Sequence, residues 1–287
     1  MLSDDKIKSL EAIALKIRRS IIEMLTIAGS GHTAGPLGMT DVFTALYFDI
    51  LKHSPEKPDW SERDRLILSN GHICPVLYAA MAYAGYFPVS QLLKLRQYES
   101  PLQGHPWREM LPGLDTSSGP LGSGLSQGVG MAMADRLDNG KHSDHFFYVM
   151  MSDGELNCGN TWEAVMLAGK EELHNLIAII DRNNIQIDGF TEEVMPLEPL
   201  AAKWEAFNWH VLEIDGHNFQ EIANAVGQAK AVFNRPTVII AHTIPGKGVL
   251  EFERKVEWHG KAPDHKEAEQ ALKELRSLKG RIRSEHD

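Results

Sequence analysis

A chain of 287 residues, 43% hydrophobic and 24% charged, has the composition of a folded domain with room for a substantial core. Its formal charge of -10, from 39 acidic and 29 basic residues, argues against a nucleic-acid partner, and no apolar run is long enough to span a bilayer. The acidic start (Ser3-Asp4-Asp5) is unlike a signal peptide, and Cys74 and Cys158 show neither metal spacing nor a disulfide framework, so a reducing cytoplasm is the expected setting.

The spacing of Ile7, Leu10, Ile13, Ala14, Ile17, Ile21 and Leu25 predicts a helix over residues 5–27 that Gly29 stops. The loop Gly29-Ser30-Gly31-His32 follows, then a second apolar helix from about Met39 to Leu51. A short strand at 66–69 runs into Asn70-Gly71-His72 and a helix at 74–84. Residues 99–124, rich in Gly and Pro, read as a long loop that turns helical near Ser123. Phe146–Met151 is an apolar strand, followed by Ser152-Asp153-Gly154 and a helix from near Asn160 through Lys170. Leu176–Asp181, Val211–Ile214 and Thr237–Ala241 are further short strands, and a charged amphipathic helix at about 264–283 comes last. Strands alternating with helices predict an α/β fold, a doubly wound parallel sheet with helices on both faces. With no repeat and no linker, residues 1–287 are expected to form one domain.

An acidic chain must hold any anionic ligand locally, through backbone amides, histidines or a metal ion. Asp153-Gly154-Glu155 follows one strand and Asn183-Asn184 follows the next, thirty residues later. That interval suits one strand–helix–strand crossover, which opens both turns on the same sheet edge. Asp153 offers a carboxylate and Asn183 an amide oxygen, a hard-oxygen pair suited to Mg²⁺ when phosphate oxygens, a backbone carbonyl and water complete the shell. Gly154 lets the backbone approach a phosphate, and the amides of the following helix would face it. Taken singly these dipeptides are simply turns; their joint placement favours a site.

Four of the thirteen histidines follow a glycine (His32, His72, His105, His217) and His259 precedes one. Glycine-flanked loops at a sheet edge carry an imidazole to a ligand, where it can move protons near neutral pH. Zinc is the competing reading, but the spacings are scattered and no cysteine pair supports it. His217 reads as structural, and Lys247, in the turn Pro245-Gly246-Lys247-Gly248, could reach an anion or be a solvated loop lysine.

The order Ser152-Asp153-Gly154 then Asn183-Asn184 resembles the thiamine diphosphate motif. Ser30-Gly31-His32, Leu68-Ser69-Asn70-Gly71-His72, Gly104-His105-Pro106, Gly119-Pro120-Leu121-Gly122 and Trp258-His259-Gly260 resemble transketolase, in transketolase order over about residues 10–265. The resemblance implies a bound thiamine diphosphate and Mg²⁺ (or Ca²⁺ or Mn²⁺), with Asp153, Asn183 and the Ile185 carbonyl as metal ligands. It places His72 and His259, with Gly154, Glu155 and Asn183, at the cofactor's diphosphate. Gly119, Pro120 and Leu121 fall at its aminopyrimidine, and His32 and His105 at the substrate hydroxyls. His32, His105, His259 and Glu163 are the implied catalytic residues, Glu163 as part of an acidic network between cofactor sites. Ser152 stands where the family has glycine, and Cys158 where it usually has the glutamate partner of Glu163.

A complete transketolase is more than twice this long, and the glutamate that activates the cofactor lies in a domain this chain lacks. The resemblance therefore implies the N-terminal subunit of a split transketolase. Such a subunit would transfer a two-carbon ketol unit from a ketose, phosphorylated or not, to an aldose in carbohydrate metabolism such as the pentose phosphate pathway. It would do so with a C-terminal partner subunit carrying the pyrimidine-binding domain, in a heterotetramer. A deoxyxylulose-phosphate-synthase-like half, a 2-oxoacid dehydrogenase half and a non-catalytic cofactor-binding subunit are the alternatives.

Overall fold

The computed structural model describes residues 1–277 apart from 142 and 188. Helix α1 (Asp4–Ala28) starts at Ser3, whose side chain accepts from the Lys6 amide, and ends at Gly29 in the left-handed region (φ 61°). Then come α2 (Ala34–Gly38) and α3 (Thr40–Ala45), continued by a π-helical turn over Leu46–Ile50. One helix over 39–51 was the expectation; the segment is instead bent. A Cβ on Gly38 would lie 3.0 Å from the Ile244 carbonyl oxygen, so this backbone is pressed against a neighbouring loop. The Thr40 and Thr44 hydroxyls donate back to the carbonyls of Pro36 and Thr40, which bends helices.

Strand β1 (Arg65–Leu68) leads to α4 (Cys74–Tyr83), and a long loop leads to α5 (Ser123–Asn139). Next are β2 (Phe147–Ser152), α6 (Gly159–Lys170) and β3 (Leu176–Arg182). The hairpin β4 (Ile185–Gln186) and β5 (Gly189–Phe190), with helices α7 (Thr191–Val194) and α8 (Leu200–Ala206), fills a stretch in which the sequence shows no periodic pattern. Strand β6 (His210–Asp215), α9 (Phe219–Lys230), β7 (Thr237–His242) and α10 (His265–Ser277) follow. The part of the last predicted helix beyond 277 lies outside the described residues.

Five parallel strands lie in the order β1-β2-β3-β7-β6, and their side chains alternate between two cores. Tyr148, Met150, Ile177, Ile179 and Ile239 face α1, α3, α4, α9 and α10. Val149, Met151, Ala178, Ile180 and Val238 face α5, α6 and α8. Helices thus cover both faces, as the strand–helix alternation predicts. Among the described residues no helix is long and apolar enough to cross a membrane.

One charged group is sealed in the first core. Arg18, 1% exposed, donates through both terminal nitrogens to Asp41 at 2.9 and 2.6 Å. His217 Nε2 accepts from the Ile244 amide at 2.8 Å, so Nδ1 carries the proton and donates to Asp41 at 2.8 Å. Burial favours the neutral acid, but Arg18 and then His217 outweigh it and hold the Asp41 carboxyl at about 2. His217 is structural, as its sequence context suggests: it pins the loop after β7 to the helical layer.

Candidate active site

The carboxyl ends of β1, β2 and β3 open on one edge of the sheet, where open α/β sheets bind ligands. Register sets Ser152 opposite Asp181, so the turns that follow β2 and β3 are neighbours. A cavity of about 240 Å³ lies here, and its lining includes His32, His72, His105, His259, Gly154 and Asn183. A larger cleft of about 1070 Å³ sits at the opposite, amino ends of β1 and β2. Its principal carboxylates are already paired, Asp115 with Arg63 and Asp135 with His145 and Asn139. The smaller cavity is the better site, because buried polar atoms of His32 and Gln186 at its wall have no such partner.

Three imidazoles pack into a triangle on the cavity wall. Ring centroids are 4.8 Å apart for His32 and His72, 5.4 Å for His32 and His259, and 5.6 Å for His72 and His259. Their loops are stitched together: the Thr33 hydroxyl donates to the Lys261 carbonyl at 2.5 Å and the Gly246 amide to the Ala34 carbonyl at 2.9 Å. Burial, then the neighbouring His259, Arg96 and His105, hold the His32 imidazole down at about 4. Burial, then His32, His259 and His105, hold the His72 imidazole well below its ordinary value, and His105 is lowered by burial and then Arg96. At neutral pH His32, His72 and His105 are therefore uncharged, each with one donor and one acceptor nitrogen.

Buried carboxylates adjoin the lining residues Gly154 and Asn183. Asp153 is fully buried; its Oδ1 accepts from the Gly154 amide at 2.8 Å and its Oδ2 from the Asn184 amide at 2.7 Å. Arg182 reaches Oδ2 at only 3.3 Å, because it also donates to Thr191, Glu192 and Glu198. Burial dominates over these partners and pushes the Asp153 carboxyl up to about 6. Its neighbour Asp181 rises to about 7 through burial and the Asp153 charge, against a hydrogen bond from Thr243. Asn183 donates through Nδ2 to Asp181 and accepts through Oδ1 from the Ile185 amide.

Glu155 has a different position from its neighbour. It is fully buried, and its carboxylate accepts from the Ser69 hydroxyl and from the amides of Gly122 and Ser152. It thereby ties the 119–122 loop to the ends of β1 and β2. Gly119 and Leu121 of that loop line the cavity. Pro120 is exposed and spends its carbonyl on Ser123, at the start of α5. The N-terminus of α6 does not line the cavity; the turn Gly154–Asn157 intervenes, so Gly154 and Glu155 stand there instead. Glu163 is exposed on α6, away from the cavity, and Cys158 is partly exposed just before that helix.

Sequence reasoning missed Gln186, Ile187 and Arg96. The first two line the cavity from the hairpin, and Ile187 is held at φ 48°, a costly conformation for a β-branched residue. Arg96 lies in a loop with no periodic signal.

The residues fit the implied cofactor. His32 Nδ1 and Gln186 Oε1 are buried without a partner and border the cavity, so a polar ligand would satisfy both. Asp153, Asn183 and a backbone carbonyl would offer an all-oxygen set of the kind a hard divalent cation takes. Among the described residues no group of three or more His, Cys, Asp or Glu is placed for a metal.

Residues 9–279 match the family model of the transketolase thiamine diphosphate-binding domain. This chain belongs to the transketolase family. It is 46% identical to a 6-deoxy-6-sulfo-D-fructose transketolase subunit of a Clostridium species, over 85% of this chain and 87% of that one. It is 40% identical to an apulose-4-phosphate transketolase subunit of Phocaeicola vulgatus, over 94% and 95%. The Pichia stipitis transketolase, solved in complex with sedoheptulose 7-phosphate, superposes with a TM-score of 0.89 at 34% identity. That likeness covers 94% of this chain but 41% of the Pichia transketolase, so the chain spans about two fifths of that enzyme's length.

Proposed function

We propose that this chain is the diphosphate-binding subunit of a two-chain transketolase, which moves a two-carbon ketol unit from a ketose to an aldose. One observation carries the reading: the packed, uncharged imidazoles of His32 and His72 line one cavity with Gly154 and Asn183, and the buried, under-neutralised carboxylate of Asp153 adjoins Gly154. On this reading residues 1–287 form one diphosphate-binding domain. Asp153, Asn183 and the Ile185 carbonyl hold Mg²⁺ or a similar cation, and Gly154, His72 and His259 border the diphosphate.

Thiamine diphosphate, when bound, supplies the electron sink for carbon–carbon cleavage. The chain's own residues orient and exchange protons. Uncharged His32 and His105 donate to a substrate oxygen through one nitrogen and accept a hydroxyl proton through the other. His259, packed against His32, extends that wall. Glu155 keeps Gly119 and Leu121 in place through the Gly122 amide. Glu163, exposed on α6, contributes where a second catalytic unit packs on that helix.

On this reading the carboxylate that activates the cofactor comes from outside this chain. A partner subunit carrying it, arranged with this chain as a heterotetramer in the reducing cytoplasm, completes the site. Both subunit-named relatives are of nearly this length, which supports the reading.

The test is to purify the complex and assay two-carbon transfer with added thiamine diphosphate and Mg²⁺. Complexes that bind cofactor but never transfer a ketol unit would end this reading. His105→Ala is expected to lower kcat/KM about 100-fold with cofactor affinity retained; parallel loss of both would move His105 to the cofactor.

A further inference from the structure

Arg182, 4% exposed, divides its two terminal nitrogens among four side chains. Nη1 donates to the Thr191 hydroxyl at 2.8 Å and to Asp153 Oδ2 at a long 3.3 Å. Nη2 donates to Glu192 Oε1 and to Glu198 Oε1, both at 2.9 Å. Each terminal nitrogen carries two protons, so these four acceptors occupy the end of the fork. Charge-assisted N–H···O bonds normally close to about 2.7–2.9 Å. Both glutamates reach that range, and Asp153 does not.

The groups that draw the guanidinium away are themselves fixed. Glu192 Oε1 also accepts from the Leu197 amide at 3.1 Å, and Glu198 Oε2 from the Leu200 amide at 2.8 Å, where α8 begins. Thr191 is fully buried, and its amide donates to the Asn184 carbonyl at 3.0 Å. Residues 184–200 are thus tied around one guanidinium, with Asp153 at its buried end. The glutamate side chains, 43% and 58% exposed, stand at its outer end. Arg18 shows the other geometry, gripping Asp41 through both nitrogens at 2.9 and 2.6 Å. A grip of that kind on Asp153 would neutralise a carboxylate that a cation needs charged.

We propose that Arg182 is a positioning residue that sets the cation affinity of Asp153: Glu192 and Glu198 hold its guanidinium back from the carboxylate, and without them it competes with the cation there. The assignment rests on the metal reading above and names the residues that keep Asp153 available. A guanidinium and a divalent cation are rivals for one carboxylate, so each acceptor that engages Arg182 from outside favours the cation.

The purified complex, with thiamine diphosphate present, is titrated with Mn²⁺, and the free ion is followed by electron paramagnetic resonance. The double variant Glu192→Gln with Glu198→Gln is expected to raise the Kd for Mn²⁺ about 10-fold. Arg182→Gln is expected to bind Mn²⁺ at least as tightly as wild type, and in that background the two glutamate substitutions should change nothing. An unchanged Kd in the double variant overturns the proposal. Weaker binding in Arg182→Gln itself overturns it too, because the arginine would then be a strut of the site. An equal loss from the glutamate substitutions with and without Arg182 also overturns it, leaving only the field of two carboxylates.

A second measurement needs no Arg182 variant. In crystals of the double glutamate variant grown with EDTA, Arg182 is expected to close on Asp153 Oδ2 from 3.3 Å to about 2.8 Å. A contact that stays long overturns the proposal. Asp153→Ala, titrated in the same way, separates the two readings. Mn²⁺ uptake that survives this change ends the metal assignment and the proposal together. Uptake that requires Asp153 but ignores Arg182 and the glutamates ends the proposal alone.

Discussion

Two buried aspartates of this molecule have opposite fates. Asp41 meets a bidentate arginine and a protonated histidine nitrogen, and its carboxyl is held at about 2. Asp153 meets two amides and an arginine shared with three other residues, and its carboxyl is pushed up to about 6. The first is a charge-paired structural network. The second is a carboxylate whose neutralisation is incomplete, which is the electrostatic condition of a cation ligand. The difference teaches that burial alone does not mark a functional carboxylate; the deficit of partners does.

The sharpest way to break this comparison is Asp41→Ala. It strands the Arg18 guanidinium in the core and is expected to cost about 3–5 kcal/mol in urea unfolding. A cost near that of a surface substitution would show the network to be dispensable.

Asp153→Ala should instead act through the ligand. Thiamine diphosphate with Mg²⁺, at a hundredfold excess over Kd, is expected to stabilise the wild-type complex by about 2.7 kcal/mol. The variant, or removal of the cation with EDTA, should erase that increment. A melting shift that survives both changes would remove Asp153 from the metal site.

Acid should separate the regions by window. His32 titrates at about 4 in the folded chain and 6.5 as a free side chain. The unfolded chain thus binds more protons between these values, and stability falls as pH drops from 6.5 toward 4. Asp41 has the same sign in a lower window, its contribution intact above 3.8 and lost as pH falls through about 2. Melting curves of wild type and His32→Gln between pH 7 and 4.5 check the first window, with a shallower decline expected in the variant.

The smallest effect is expected at Gly154. An added Cβ would lie 3.0 Å from Cγ of Gln186, a flexible side chain that can give. Gly154→Ala should therefore cost less than about 1 kcal/mol in the ligand-free chain while weakening the affinity for thiamine diphosphate. Equal affinities by calorimetry would show that the backbone at 154 stays clear of the diphosphate.

Much of the fold was legible because its signals are local and periodic. The 3.6-residue spacing of α1 and the apolar runs of β2, β3 and β7 each reflect burial that the element's own side chains impose. The break in the helix at residues 34–50 was not legible, because the 244 loop that closes on Gly38 comes from the far end of the chain. The hairpin at 185–190 was missed because four paired residues carry no period.

The site divides the same way. Asp153, Asn183 and the glycine–histidine loops could be picked out from residue type beside strand ends, and the structure brings His32, His72, His105 and His259 to one cavity. Glu163 was picked out equally well, yet it stands exposed on α6. The pairing of Asp41 with Arg18 and the sharing of Arg182 among four side chains were decided only by tertiary structure. Sequence alone determined which chemical groups are available and which elements carry them. Which groups end up charged, neutral or unsatisfied depends on partners distant in the chain, because desolvation and Coulomb interaction are set by distance in space.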